Sequence, residues 1–167
     1  MTISFYELDD TPLGTLTLYF SEKGLCRLAF GTYEERLEKE TPWFERYFDN
    51  PSFEQINASS STRSQLEEYF SGERTAFDVP LDLRGTDFQA KVWQALMDVP
   101  YGEMTAYKGI AETIASPKAV RAAGGAINKN PIPVIVPCHR VIGSDGSLVG
   151  YNGGLSIKKT LLEIEKR

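Results

Sequence analysis

The chain has 167 residues, 41% apolar and 25% charged, with a net charge of −5, an ordinary balance for a globular protein of one domain or two small ones. Its apolar runs, such as 131–136, are too short to span a bilayer, and its first ten residues lack the basic-then-apolar order of a signal peptide. Two cysteines and one histidine make neither a disulfide framework nor a nitrogen–sulfur zinc site, so no metal or cofactor and a reducing, cytoplasmic setting are expected.

The runs "GTLTLYF" and "LCRLAF", joined by "SEKG", predict a β-hairpin. Helical text follows from Tyr33 to Phe48, and "DNPSFEQINASSS" reads as a loop. Thr62 with Gln65 has the spacing of a capping box and predicts a helix whose apolar side is Leu66, Tyr69 and Phe70. "SGERTAFDVPLDLRG" reads as a connection and predicts a domain boundary near residues 80–86. Charge divides there too. Residues 1–85 carry 8 Lys/Arg against 16 Asp/Glu (−8), and residues 86–167 carry 10 against 7 (+3), so a polyanion would meet the second half.

Beyond the boundary, Thr86 and Gln89 predict a second capping box, with Phe88, Val92, Ala95 and Leu96 at helical spacing until "VPYG". A helix over about Thr105–Ala115 would bury Tyr107, Ile110, Ala111 and Ile114. Ser116 as N-cap and Pro117 at the first helical position then predict another helix, with Val120, Ala123, Gly124 and Ile127 on one side. Two short helices joined so tightly suggest a helix-turn-helix. The outward face of the second would carry Lys118, Arg121, Ala122, Gly125 and Lys129. Small residues among cations allow close approach to a phosphate-lined surface; packing between helices is the other use for the two glycines.

"VIVPCHRVIG", residues 134–143, sets Cys138 beside the chain's one histidine, His139. Neighbours do not face each other on a helix or a strand, which disfavours direct contact of the two side chains. A nucleophilic Cys needs help in losing its proton, and a water bridging to His139 could supply it if a carboxylate holds the other ring nitrogen. A buried structural cysteine is the alternative.

"VPCHRV", preceded by "INKNPIPVI" and followed by "GYNGGLSIKKTLLEIE", resembles the O6-alkylguanine-DNA alkyltransferases, as does "YGEMTAYKGIAETIASPKAVRAAGGA" upstream. The likeness runs through the second half and extends more loosely over "TPLGTLTLYFSEKGLCRLAF" and "QLEEYFSGERTAFDVPLDL" in the first. It implies an α+β protein: an N-terminal, ribonuclease-H-like α/β domain with a small antiparallel sheet over residues 1–85, and a helical, DNA-binding alkyltransferase domain with a winged helix-turn-helix over 86–167. Cys138 would accept the alkyl group, His139 would be linked to it through water with a depressed thiol pKa as the result, and Glu165 would orient His139. Asn130 would brace the active-site turn, Tyr107 would protonate or hydrogen-bond the guanine ring nitrogen as the base leaves, and Lys158 would support the departing charge. The carbonyls of Cys138 and Val141 would read the guanine amino group. Pro133, Tyr151 and Asn152 would line the pocket, with Tyr151 and the backbone amide of Asn152 meeting O6.

The resemblance also implies double-stranded DNA as partner, gripped through its minor groove by a monomer. Arg121 would fill the gap left by a flipped nucleotide, Ala122 and Gly125 would lie against the groove, and Lys118 and Lys129 would meet phosphates. Bland alternatives stand beside these roles: Tyr107 as a core tyrosine, Lys158 and Glu165 as surface charges, Arg121 as a solvated cation, and Cys26 as a core residue. Rival functions are a non-reactive binder of alkylated DNA and a thiol-sensing DNA-binding regulator.

Overall fold

A computed structural model describes residues 1–58 and 60–166; Ser59, in the segment read as a loop, and Arg167 lie outside it. The chain divides into two compact units, Met1–Arg84 and Gly85–Arg167.

The first unit is built on strands β1 (Thr2–Thr11), β2 (Gly14–Ser21) and β3 (Gly24–Phe30), helix α1 (Tyr33–Tyr47), strand β4 (Ser52–Gln55) and helix α2 (Ser61–Phe70). The sheet order is β3-β2-β1-β4. The predicted hairpin is β2–β3, pairing Leu18 with Leu28. Two strands were not legible in the sequence. β1 pairs antiparallel with β2, and β4, inside the segment read as loop, pairs parallel with β1, so the small sheet is mixed. Ile3, Phe5, Tyr19, Cys26 and Ala29 of the sheet pack on Phe44 and Phe48. Cys26 is fully buried there and donates to the Tyr19 carbonyl at 3.4 Å, as a core residue would.

The cap of α2 differs from expectation. Ser60 receives the Arg63 amide, while the Gln65 side chain exchanges two hydrogen bonds, 3.0 and 2.8 Å, with the backbone of Asp78. Successive hydroxyl residues offer several N-caps, and the distant partner of Gln65 decides against Thr62.

The second unit runs α3 (Asp87–Met97), β5 (Thr105–Ala106), α4 (Tyr107–Thr113), α5 (Val120–Asn128), a 3₁₀ turn (Cys138–Arg140), β6 (Val141–Ile142) and α6 (Leu155–Glu165). The Thr86–Gln89 capping box is present in both directions. Indole Nε1 of Trp93 donates to the Ala126 carbonyl at 2.9 Å, tying α3 to α5. Thr105 and Ala106, expected in a helix, instead pair parallel with Val141 and Ile142.

The turn between α4 and α5 also corrects the sequence reading. Ala115 adopts φ +59° and the Ser116 amide reaches back to the Ala111 carbonyl at 2.9 Å, the pattern that ends a helix with a left-handed residue. Ser116 and Pro117 therefore follow a helix stop, and α5 begins only at Val120, without a side-chain cap. Proline is common just past such a stop, which is why the same dipeptide reads either way.

Candidate active site

From Asn130 to Val141 every residue is buried, yet the segment is not a core strand. Asn130 fastens it from both ends: Nδ2 donates to the Val136 carbonyl at 2.7 Å, and Oδ1 accepts from the Ile132 amide at 3.0 Å. Within the loop Val134 takes φ +76°, a conformation a β-branched residue occupies only when its surroundings impose it. Pro137, at φ −82° and ψ 65°, closes an inverse γ-turn in which the Cys138 amide meets the Val136 carbonyl at 2.8 Å. The chain then enters the 3₁₀ turn that begins at Cys138.

This geometry sends Cys138 and His139 to different places. Cys138, 6% exposed, reaches a pocket also lined by Asn130, Pro133, Tyr151 and Asn152. His139, fully buried, turns toward α6, where Nε2 lies 2.6 Å from Glu165 Oε2. A carboxylate can only accept, so Nε2 carries the proton and Nδ1 presents a lone pair. Nδ1 is buried with no hydrogen-bond partner among the described residues. Burial holds the imidazole below its ordinary value against the pull of Glu165, keeping it neutral and able to accept a proton.

The same carboxylate holds a residue missed in the sequence. Arg140 donates from Nε to Glu165 Oε1 at 2.8 Å and from Nη2 to Oε2 at 3.0 Å, and from Nη1 to the Val99 carbonyl at 2.7 Å. An arginine inside a run of buried apolar residues needs a counterion, and that was the available signal.

Glu165 and Lys158, two turns apart on α6, are both buried, so neither is a surface charge. Lys158 Nζ donates to the carbonyls of Val141, at 2.5 Å, and Val149, at 2.8 Å. Desolvation lowers its pKa, and a negative charge on the Cys138 sulfur would oppose that. The Val141 carbonyl thus already accepts one hydrogen bond, and the Cys138 carbonyl accepts another from the Val141 amide; each keeps a second lone pair.

The thiol departs from expectation. Burial pushes the Cys138 pKa up to about 11, although Asn130, Lys158 and Tyr151 pull it down. His139 is not among the groups that shift it. The resting group is a thiol, and its proton has to leave during attack.

Tyr107 opens α4 and is half-buried rather than part of a buried stripe. Its phenol is raised by burial first and then by Cys138. The ring lies near Gly124, where an added Cβ would sit 3.6 Å from it, an ordinary contact, so packing of α4 on α5 does not by itself require a glycine there. At Gly125 a Cβ would meet nothing within 4 Å. Arg121, Ala122 and Gly125 are exposed on α5; Lys118 lies in the preceding turn and Lys129 caps the helix, both exposed.

Two family models divide the chain: the ribonuclease-like domain of 6-O-methylguanine DNA methyltransferase matches residues 4–83, and the DNA binding domain of the same family matches 87–167. A methylated-DNA–protein-cysteine methyltransferase of Methanosarcina barkeri is 47% identical over 97% of each chain. The Mycobacterium tuberculosis protein of that name is 48% identical over 96% of this chain and 92% of its own. A crystal structure of M. tuberculosis OGT in complex with DNA superposes with a TM-score of 0.81 at 42% identity, covering 99% of this chain and 93% of that one. The chain belongs to the methylated-DNA–protein-cysteine methyltransferase family. No helix among the described residues is long and apolar enough to cross a membrane.

Proposed function

We infer that this protein repairs O6-alkylguanine in duplex DNA, chiefly O6-methylguanine, by a single irreversible transfer of the alkyl group to Cys138. The observation that carries the reading is the divergence at the 3₁₀ turn, which gives the thiol to a pocket and the imidazole to a buried carboxylate. A thiol raised to about 11 needs a base at the moment of attack, and His139 offers one through Nδ1 by way of a bridging water. The sulfur forms a bond to the alkyl carbon as that carbon's bond to O6 breaks. Guanine leaves, taking a proton at its ring nitrogen from Tyr107, whose own charge is then supported by Lys158.

Asn130 holds the turn, and Pro133, Tyr151 and Asn152 wall the pocket, the Asn152 amide meeting O6 and the carbonyls of Cys138 and Val141 meeting the amino group. A base inside the stack cannot reach a buried sulfur, so the nucleotide is flipped. Arg121 fills the gap it leaves, Ala122 and Gly125 permit contact with the minor groove, and Lys118 and Lys129 meet phosphates. In this reading residues 1–85 form the ribonuclease-H-like domain and 86–167 the alkyltransferase and DNA-binding domain. The protein acts as a monomer, in the cytoplasm. A binder that does not react and a thiol-sensing regulator are both disfavoured, because a nucleophile stands in the pocket and the two family models together span nearly the whole chain.

Cys138→Ala separates the readings. The variant is expected to bind duplex DNA as the parent does and to accept no radiolabel from O6-methylguanine DNA. Undiminished labelling, or labelling moved to Cys26, contradicts the assignment.

A further inference from the structure

The pocket at Cys138 has a wall that the sequence did not suggest. Asn128, the last residue of α5, lines it together with Gly150. Asn128 is exposed and stands seven residues after Arg121 and three after Gly125, so the three share one face of the helix. Gly150, at φ +40°, faces it across the pocket mouth. A Cβ there would lie 3.8 Å from Asn128 Oδ1 and 3.5 Å from the Tyr107 hydroxyl. The amide and the phenol therefore approach one gap, kept open by the missing side chain of Gly150.

The order of groups along this surface is informative. Arg121 and Gly125 belong to the exposed face of α5, Asn128 to the rim, and Cys138 to the floor. A base that enters edge-first toward Cys138 and Tyr107 leaves its sugar and phosphate at the rim. An amide there has an N–H donor for an anionic oxygen and carries no charge of its own that would hold undamaged DNA.

We propose that Asn128 is a specificity-determining residue that binds the sugar–phosphate segment of the flipped nucleotide, favouring alkylguanine within a strand over the free base. The proposal rests on the alkyl-transfer reading above. A contact made only after flipping changes the rate at saturating DNA and leaves affinity for undamaged duplex alone.

The test compares the parent protein with Asn128→Ala and Asn128→Asp. Single-turnover rates are measured on saturating O6-methylguanine duplex and on free O6-benzylguanine, with affinity for undamaged duplex alongside. Loss of one hydrogen bond to a charged oxygen predicts a duplex rate about tenfold lower in Asn128→Ala. Asn128→Asp should be slower still on duplex, because a carboxylate would face a phosphate. Rates on the free base should stay within about twofold of the parent, far less than the loss of such a bond. Equal losses on both substrates, an unchanged duplex rate, or Asn128→Asp no slower than Asn128→Ala overturns the proposal and leaves alkyl transfer standing. A parent protein alkylated by neither substrate overturns both.

Discussion

His139 shows how much one residue's surroundings decide. Beside Cys138 in the sequence it invites the idea of a dyad, yet the 3₁₀ turn sends its ring to Glu165 while the thiol enters the pocket. A base committed to a carboxylate and held below its ordinary value of 6.5 is neutral at neutral pH. The sign of the linkage follows from that. The unfolded chain takes up a proton near 6.5, and the folded chain does so only at lower pH, so stability is fully present above about 6.5 and falls as pH drops toward the folded value. Because the chain has one histidine, an NMR titration of imidazole resonances has a single signal to follow. It should keep its neutral shift through pH 6.5 in the folded protein. A midpoint at or above 6.5 would contradict the neutral, proton-accepting ring.

Among the elements, α6 and the Cys138–Arg140 turn depend on each other through one carboxylate. Glu165 accepts from His139 and twice from Arg140, with side chains at most 9% exposed. Removing one partner from such a pair leaves a buried charge uncompensated and costs about 3–5 kcal/mol, whereas replacing the ions by apolar groups is often neutral. Glu165→Gln is therefore expected to destabilise the fold by about 3 kcal/mol in urea unfolding, and Glu165→Gln with Arg140→Met to recover much of that. Alkyl transfer should stay impaired in both, since His139 has lost its anchor. Unchanged stability in Glu165→Gln would show that the network does not hold α6.

Local pattern made some of these elements legible and not others. The hairpin β2–β3 and the capping box at Thr86 are short-range features, and both could be read directly. β4 is four residues with mostly exposed side chains, and it exists because β1 offers an edge far away in sequence. The turn after α4 depends on the backbone angle of Ala115, which composition does not reveal. In the site, the cysteine motif drew attention to Cys138, His139 and Glu165. Arg140 left a trace, as a charge within an apolar run, whereas Asn128 and the strained Val134 emerge only when the loop, α5 and α6 are brought together, and the raised thiol pKa is a product of that burial.

For the molecule as a whole, the chemistry has an end. A thioether is inert, and among the described residues none near Cys138 offers a route for removing an alkyl group once the sulfur carries it. The chain should then behave as a reagent used once. The most direct check is the intact mass of the protein, and then of its peptides, after incubation with excess duplex DNA containing O6-methylguanine. The account predicts a gain of one CH₂ per chain, on the peptide that contains Cys138, with no further O6-methylguanine in the DNA restored to guanine after the first equivalent. Continued turnover, a gain located on the Cys26 peptide, or unmodified protein after full exposure would contradict it.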